Sequence, residues 1–164
     1  LKIFLLTTFA LTAFAFNSIL CRLALGREAI DASSFTAIRL ISGAFTLLLI
    51  ISLFSKNKTE DIRRGNWLSA FFLFGYAICF SFAYIGLTTA TGALILFGMV
   101  QATMIISALV SGERPQLLEW LGLLFALGGL IYLVFPGLES PPLISSILMA
   151  LAGICWGFYT LRGK

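Results

Sequence analysis

Six stretches of this chain run for about twenty residues with almost no charge, the length a helix needs to cross the roughly 30 Å hydrocarbon layer of a membrane. They are Ile3–Cys21, Ser33–Phe54, Trp67–Thr88, Gly92–Ser111, Leu117–Phe135 and Leu143–Leu161. Hydrocarbon offers no water to satisfy an open backbone, so each stretch must bond internally as a helix. The fold class that follows is an all-α integral membrane protein, a multi-span helical bundle. Composition agrees: 60% of the 164 residues are hydrophobic and 11% are charged, against about 45–50% and about 25% in a soluble domain.

The connectors carry the polarity. GREAID (Gly26–Asp31) is short and mixed in charge, and SKNKTEDIRRGN (Ser55–Asn66) holds Lys56, Lys58, Arg63 and Arg64. TTAT (Thr88–Thr91) is a tight turn, SGERPQ (Ser111–Gln116) is charged, and FPGLESPPL (Phe135–Leu143) is a Pro/Gly turn region. The prolines at 115, 136, 141 and 142 all lie outside the spans or at their edges. Six alternating spans place both termini on one side, together with Lys2, Lys56, Lys58, Arg63, Arg64, Arg114, Arg162 and Lys164. Arg22 and Arg27 fall on the other side. By the positive-inside rule the basic side is cytoplasmic, which makes this a multi-pass protein of the plasma membrane, the inner membrane in a bacterium.

The same charges argue against other classes. The net charge of +4 sits in short connectors rather than on a face that could track phosphates, so no nucleic-acid partner is expected. Cys21, Cys79 and Cys155 lie far apart in apolar runs and the chain has no histidine, so neither a metal site nor a cofactor is expected. No nucleophile–base pair and no paired membrane carboxylates are present, which argues against an enzyme. Ile3–Cys21 is long enough to span, whereas a cleaved signal peptide would have a shorter apolar core.

A shift of 140 residues lays the opening stretch over the closing one: Phe16 over Trp156, Ile19 over Tyr159, Arg22 over Arg162. Five spans separate the copies, and an odd number inverts the second in the membrane. Inverted repeats are a recurring build of secondary transporters, with the solute site near the midplane at the repeat interface. The expected organisation is one five-helix unit over residues 1–142, followed at 143–164 by the first helix of a second unit. On this reading the coding sequence continues beyond Lys164 through four more spans, and the missing second half is the principal partner.

The residues resemble a known family. LALGREAIDASSFTAIRLISGAF is similar to the first loop and second helix of EamA-type carriers of the drug/metabolite transporter superfamily. SFAYIGLTTATGALILFGMVQATMIISALVSGERPQLLEWLGLLFALGGLIYLV resembles their third to fifth helices, and WGFYTLRGK the opening helix of their second repeat. The resemblance implies a ten-helix permease built from an inverted pair of five-helix repeats, moving small metabolites, often outward. The commoner family pattern has a proline within the fourth helix. This chain has Gln101 there, so no proline break is expected.

Polar groups inside a bilayer are expensive and therefore informative. Arg39 lies about 9 Å into the second span at about 1.5 Å per residue. It can snorkel outward to Glu28 or Asp31, or face an internal cavity and meet an anionic group. Arg39, Ser42, Gly43 and Thr46 share one helical face, which favours a polar interior side. Asn17 and Tyr84 come to similar depth in the outer half, and Tyr76 and Gln101 fall near the midplane. Each can hydrogen-bond a solute or tie helices together. Trp156 is a further candidate contact, although with Tyr159 it sits where an aromatic belt is the ordinary explanation.

Small residues recur at spacing four, at Gly98/Ala102, Ala108/Gly112, Gly122/Ala126 and Gly153/Gly157, and permit close helix approach. Gly112, Glu113, Arg114 and Pro115 form a structural turn rather than a catalytic one. No acidic residue lies deep in a span, so proton coupling would need groups from the second half.

The function expected is secondary transport, in the efflux direction, of a small organic metabolite or drug-like solute, with no role for a cofactor and with lipid as the surroundings. The alternative is a non-transporting remnant, or a scaffold that docks a partner through residues 55–66. Association of two copies as a homodimer stays open. Orientation is directly testable. In a cysteine-free background, a single cysteine placed at Asn57 should resist a membrane-impermeant maleimide added to whole cells, and one at Ala29 should react. The reverse pattern would overturn the assigned topology.

Overall fold

The structure, a computed structural model, describes residues 2–26, 30–54, 66–113, 116–134 and 141–163. Their regular structure is entirely helical: α1 (Lys2–Gly26), α2 (Ala32–Phe54), α3 (Trp67–Gly86), α4 (Thr89–Val110), α5 (Leu117–Val134) and α6 (Leu143–Arg162). α1 to α4 and α6 are each long and apolar enough to cross a membrane. α5 is the shortest at 18 residues, which at about 1.5 Å per residue gives about 27 Å, near the lower limit for a span. α1 runs five residues beyond the end expected at Cys21, because Arg22 finds acceptors on α3 and need not end the helix.

Helix ends are set by side chains that satisfy otherwise orphaned N–H groups. Asp31 accepts from Ser34 N at 2.8 Å, Asn66 from Leu68 N at 3.0 Å, and Thr88 from Thr91 N at 3.3 Å. The bond from Ser34 holds the Asp31 carboxyl below the ordinary carboxylate range. Leu87 and Thr88 are extended, so α3 and α4 are joined by two residues. α4 is unbroken through Gln101 and closes at Gly112, whose φ of +83° suits a residue without a Cβ. Glu113 N then bonds the Ala108 carbonyl at 3.0 Å. Arg114 and Pro115 lie outside the described residues. Within the spans, Thr12, Thr36, Thr46, Ser81, Thr103 and Thr160 each donate to the carbonyl four residues earlier. That bond lets a hydroxyl sit in an apolar helix at little penalty.

α6 packs along α3 and α4 more extensively than any other pair of helices meets. Glycine makes the approach possible. A Cβ at Gly153 would lie 2.7 Å from the Leu96 carbonyl oxygen and 2.7 Å from Met99 Cβ, and one at Gly157 would lie 2.8 Å from Thr103 Cβ. On the other side, Gly75 faces Cys155 and Gly86 faces Ser145. Of the small-residue pairs seen in the sequence, Gly153/Gly157 is the one used in this way. Gly98, Gly112 and Gly122 have no such neighbour among the described residues.

The bundle is closed at one end and open at the other. Cys21, Leu25, Ala32, Phe80, Ala83, Tyr84, Leu87, Leu96, Met149 and Ala152 form a buried core toward the end where α1 joins α2. Ile3 to Phe16 of α1 and Ile41 to Leu53 of α2 are exposed throughout. Ser42, Gly43 and Thr46 belong to that exposed stretch, and the two hydroxyls bond back to their own helix.

Gly153→Ala should force α4 and α6 apart and cost about 1–3 kcal/mol, the range for overpacking a tight contact. Gly98→Ala should change stability by less than about 0.5 kcal/mol. Thermal unfolding of both variants in detergent checks this, and equal melting temperatures would contradict the packing described.

Candidate functional site

Arg39 turns inward. Its Nη2 donates to the Tyr76 hydroxyl at 3.0 Å, and its Cζ lies 5.3 Å from the Tyr76 ring centroid and 4.9 Å from that of Phe80. Nη1 is buried and has no hydrogen-bond partner among the described residues. Asp31, one of the two carboxylates within snorkelling reach, is committed to the cap of α2, and Glu28 lies outside the described residues. Among the described residues the guanidinium rests on the Tyr76 hydroxyl and the rings of Tyr76 and Phe80, all neutral. Cation–π contacts contribute about 0.5–2 kcal/mol each, against a desolvation penalty of several kcal/mol for a buried ion.

The rings come from one face of α3. Tyr76, Phe80 and Tyr84 recur at spacing four and so stack along the helix. Adjacent centroids are 5.3 Å and 4.7 Å apart. Trp156 of α6 extends the ladder, with its ring 4.7 Å from Tyr76, and it also meets Phe14 of α1 at 6.2 Å and Tyr159 at 5.5 Å. Asn17 of α1 approaches the Tyr76 hydroxyl, and Cys21 lies one turn further along. Four helices thus contribute to one cluster. Measured along them, it sits about 10–20 Å from the closed end at about 1.5 Å per residue, near the middle of a membrane.

Asn17, Arg39, Tyr76 and Trp156 are brought together. Tyr84 stands on the same ladder but in the closed end. Its ring lies against Gly92, where a Cβ would be 2.7 Å from Cε1. Its hydroxyl is approached by Ser18 without a hydrogen bond of ordinary geometry. Gln101 is exposed. At about 100° per residue it sits roughly half a turn away from Leu96 and Thr103, the line α4 turns to α6. A separate apolar depression of about 360 Å³, lined by Leu25, Ile30, Ala32, Phe82 and Ile85 among others, includes none of these candidates.

Arg22 has a role that its sequence position did not announce. Its Nη1 donates to the Tyr84 carbonyl at 2.9 Å and the Ile85 carbonyl at 3.2 Å, placing a cation on the last carbonyls of α3. That bond holds α1 against α3 just beyond the ladder. Phe80 as a ring partner of Arg39 also went unnoticed, although the spacing of Tyr76, Phe80 and Tyr84 carries the signal.

Profiles of known families add the decisive comparison: that of the EamA-like transporter family matches residues 1–135. The chain belongs to the EamA-like transporter family. A Pseudomonas aeruginosa relative, the uncharacterized protein PA1977, is 50% identical over 160 residues, covering 98% of this chain and 55% of the relative. The EamA-like chain thus spans about half the length of the curated relative it matches. No solved structure matches it. The family is one of membrane transporters, in keeping with the apolar helices here.

If the Tyr84 hydroxyl is unpartnered as described, Tyr84→Phe should leave the EamA-like bundle unchanged or stabilise it by up to about 1 kcal/mol. Thermal unfolding in detergent reads this out. A loss of more than about 1 kcal/mol would mean that Ser18 and Tyr84 share a real hydrogen bond.

Proposed function

We propose that the chain forms the first repeat and the opening helix of the second in a secondary carrier that exports a small organic solute by alternating access. The observation that carries this reading is the cluster of Asn17, Arg39, Tyr76 and Trp156. It combines three helices of the family-matched segment with α6, which begins after residue 135. A polar and aromatic site near the midplane, shared between repeats, is where such carriers hold their solute. The closed end supports an inward-facing arrangement, given a cytoplasmic basic side. A solute would then enter from the cytoplasm and leave past Tyr84 and Arg22 when the closed end opens.

The exposed faces of α1, α2 and α5 would be covered by lipid and by the second half. Transport rather than catalysis fits the site, which combines one cation, an amide, a phenol and an indole, with no paired acid and base in contact among the described residues.

The test uses the full-length gene product in proteoliposomes, with counterflow of a panel of radiolabelled metabolites. Trp156→Ala should lower transport by about tenfold or more, a loss of about 1.4 kcal/mol in the transport step, with membrane insertion intact. Trp67→Ala, at a side chain 90% exposed, should stay within about twofold of wild type, since single surface changes are small. A wild type that moves no member of the panel would favour the remnant or scaffold alternative.

A further inference from the structure

We propose that Arg39 is the anion-recognition group of this site, and that the solute is a small organic monoanion, a carboxylate on an apolar planar body. The inference rests on the carrier reading above and assigns its substrate class. Three observations carry it. The guanidinium reaches into the bundle, where its partners among the described residues, Tyr76 and Phe80, are neutral. Nη1 is desolvated yet lacks an acceptor, a costly state for a charged donor that an incoming carboxylate relieves. Arg39 as a whole is only half-buried, so the group is not sealed from an arriving solute.

The surroundings specify the rest of the molecule. Guanidinium and carboxylate match as planar forks, and a charge-assisted pair is stronger in a low-dielectric site than in water. A dianion such as a phosphate ester would call for a second cation. Among the described residues the other arginine at this end of the bundle is Arg22, and it is committed to the carbonyls of Tyr84 and Ile85. Tyr76, Phe80 and Trp156 offer ring faces to an apolar planar body, and Asn17 offers an amide to a polar substituent. Tyr76 is then a positioning residue. Its hydroxyl occupies Nη2 and leaves Nη1 for the ligand.

The test compares three isosteric probes, 3-phenylpropionate, 3-phenylpropionamide and 3-phenylpropylamine. Equilibrium binding and uptake are measured with full-length protein in phosphatidylcholine vesicles. The wild type should prefer the carboxylate. Arg39→Gln should weaken carboxylate binding by about 10- to 100-fold and amide binding by less than about 3-fold. Arg39→Lys should keep the preference at reduced affinity, and Tyr76→Phe should keep it as well. If Arg39→Gln fails to insert, the lysine and phenylalanine variants decide, since a merely structural Arg39–Tyr76 bond would be lost in Tyr76→Phe with the preference.

A wild type that favours the amide or the amine, or an Arg39→Gln protein that retains the preference, overturns the anion assignment while the carrier reading stands. A wild type that neither binds nor moves any of the probes overturns the substrate class assigned here, and the metabolite panel above decides the carrier reading separately. Competition by inorganic phosphate as strong as by the carboxylate refutes the monoanion. Loss of carboxylate binding when phosphatidylglycerol is added to the vesicles would reassign Arg39 to a lipid headgroup.

Discussion

The close approach of α6 to α3 and α4 is the contact on which the rest of the structure depends. Between helices in lipid there is little hydrophobic driving force, because the acyl chains are as apolar as leucine. Adhesion must come from many atom pairs at van der Waals distance, and Gly153 and Gly157 bring the α6 backbone onto α4 closely enough to supply them. With α6 seated there, Trp156 reaches Tyr76, and the aromatic ladder of α3 is walled on a second side. A bulkier residue at 153 would move that wall and open the cluster at the same time. Packing and site are thus one construction.

A charged group inside that wall sets the electrostatics. Arg39 could have kept its charge wet by stretching toward the end of α2, and Asp31 stands there. The carboxylate instead closes the first turn of α2, and the arginine lies over Tyr76 and Phe80. Arg22, the second arginine described near this end, has the opposite solution: two backbone carbonyls at a helix C-terminus satisfy its Nη1 fully enough to tie α1 to α3. One arginine is structurally spent and the other is not. That asymmetry separates a clamp from a candidate ligand group, although both are single cations flanked by apolar sequence.

Length and charge made the helices and their order legible, since the absence of water leaves a spanning segment no alternative to the helix. The family resemblance was equally legible, through the stretches around the second helix and from the third to the fifth. The site was legible only in part. Asn17, Arg39 and Tyr76 stood out as polar groups at suitable depth, while Trp156 sat where an aromatic belt is the ordinary explanation; depth along a helix does not say which way a side chain faces. Gln101 shares the depth of Tyr76 and faces elsewhere, because α4 turns Leu96 and Thr103 toward α6. The four small-residue pairs were equivalent on paper. Only the position of α6, a tertiary fact, singles out Gly153 and Gly157.

The closed end gains its meaning from the same ladder. Tyr76, Phe80 and Tyr84 run from the arginine toward the α1–α2 junction, where Tyr84 fills the space that Gly92 leaves and Arg22 grips the carbonyl of Tyr84 itself. On the proposed reading, a solute leaving outward has to displace this packing. The weakest element in its way is the Tyr84 hydroxyl, buried without a partner of good geometry. A buried polar atom left unsatisfied makes the closed state less stable than an apolar ring would, by up to about 1 kcal/mol. A barrier that must open on each cycle cannot be held by the strongest packing the fold can make. A phenol where a phenyl would seal better is consistent with an end built to part.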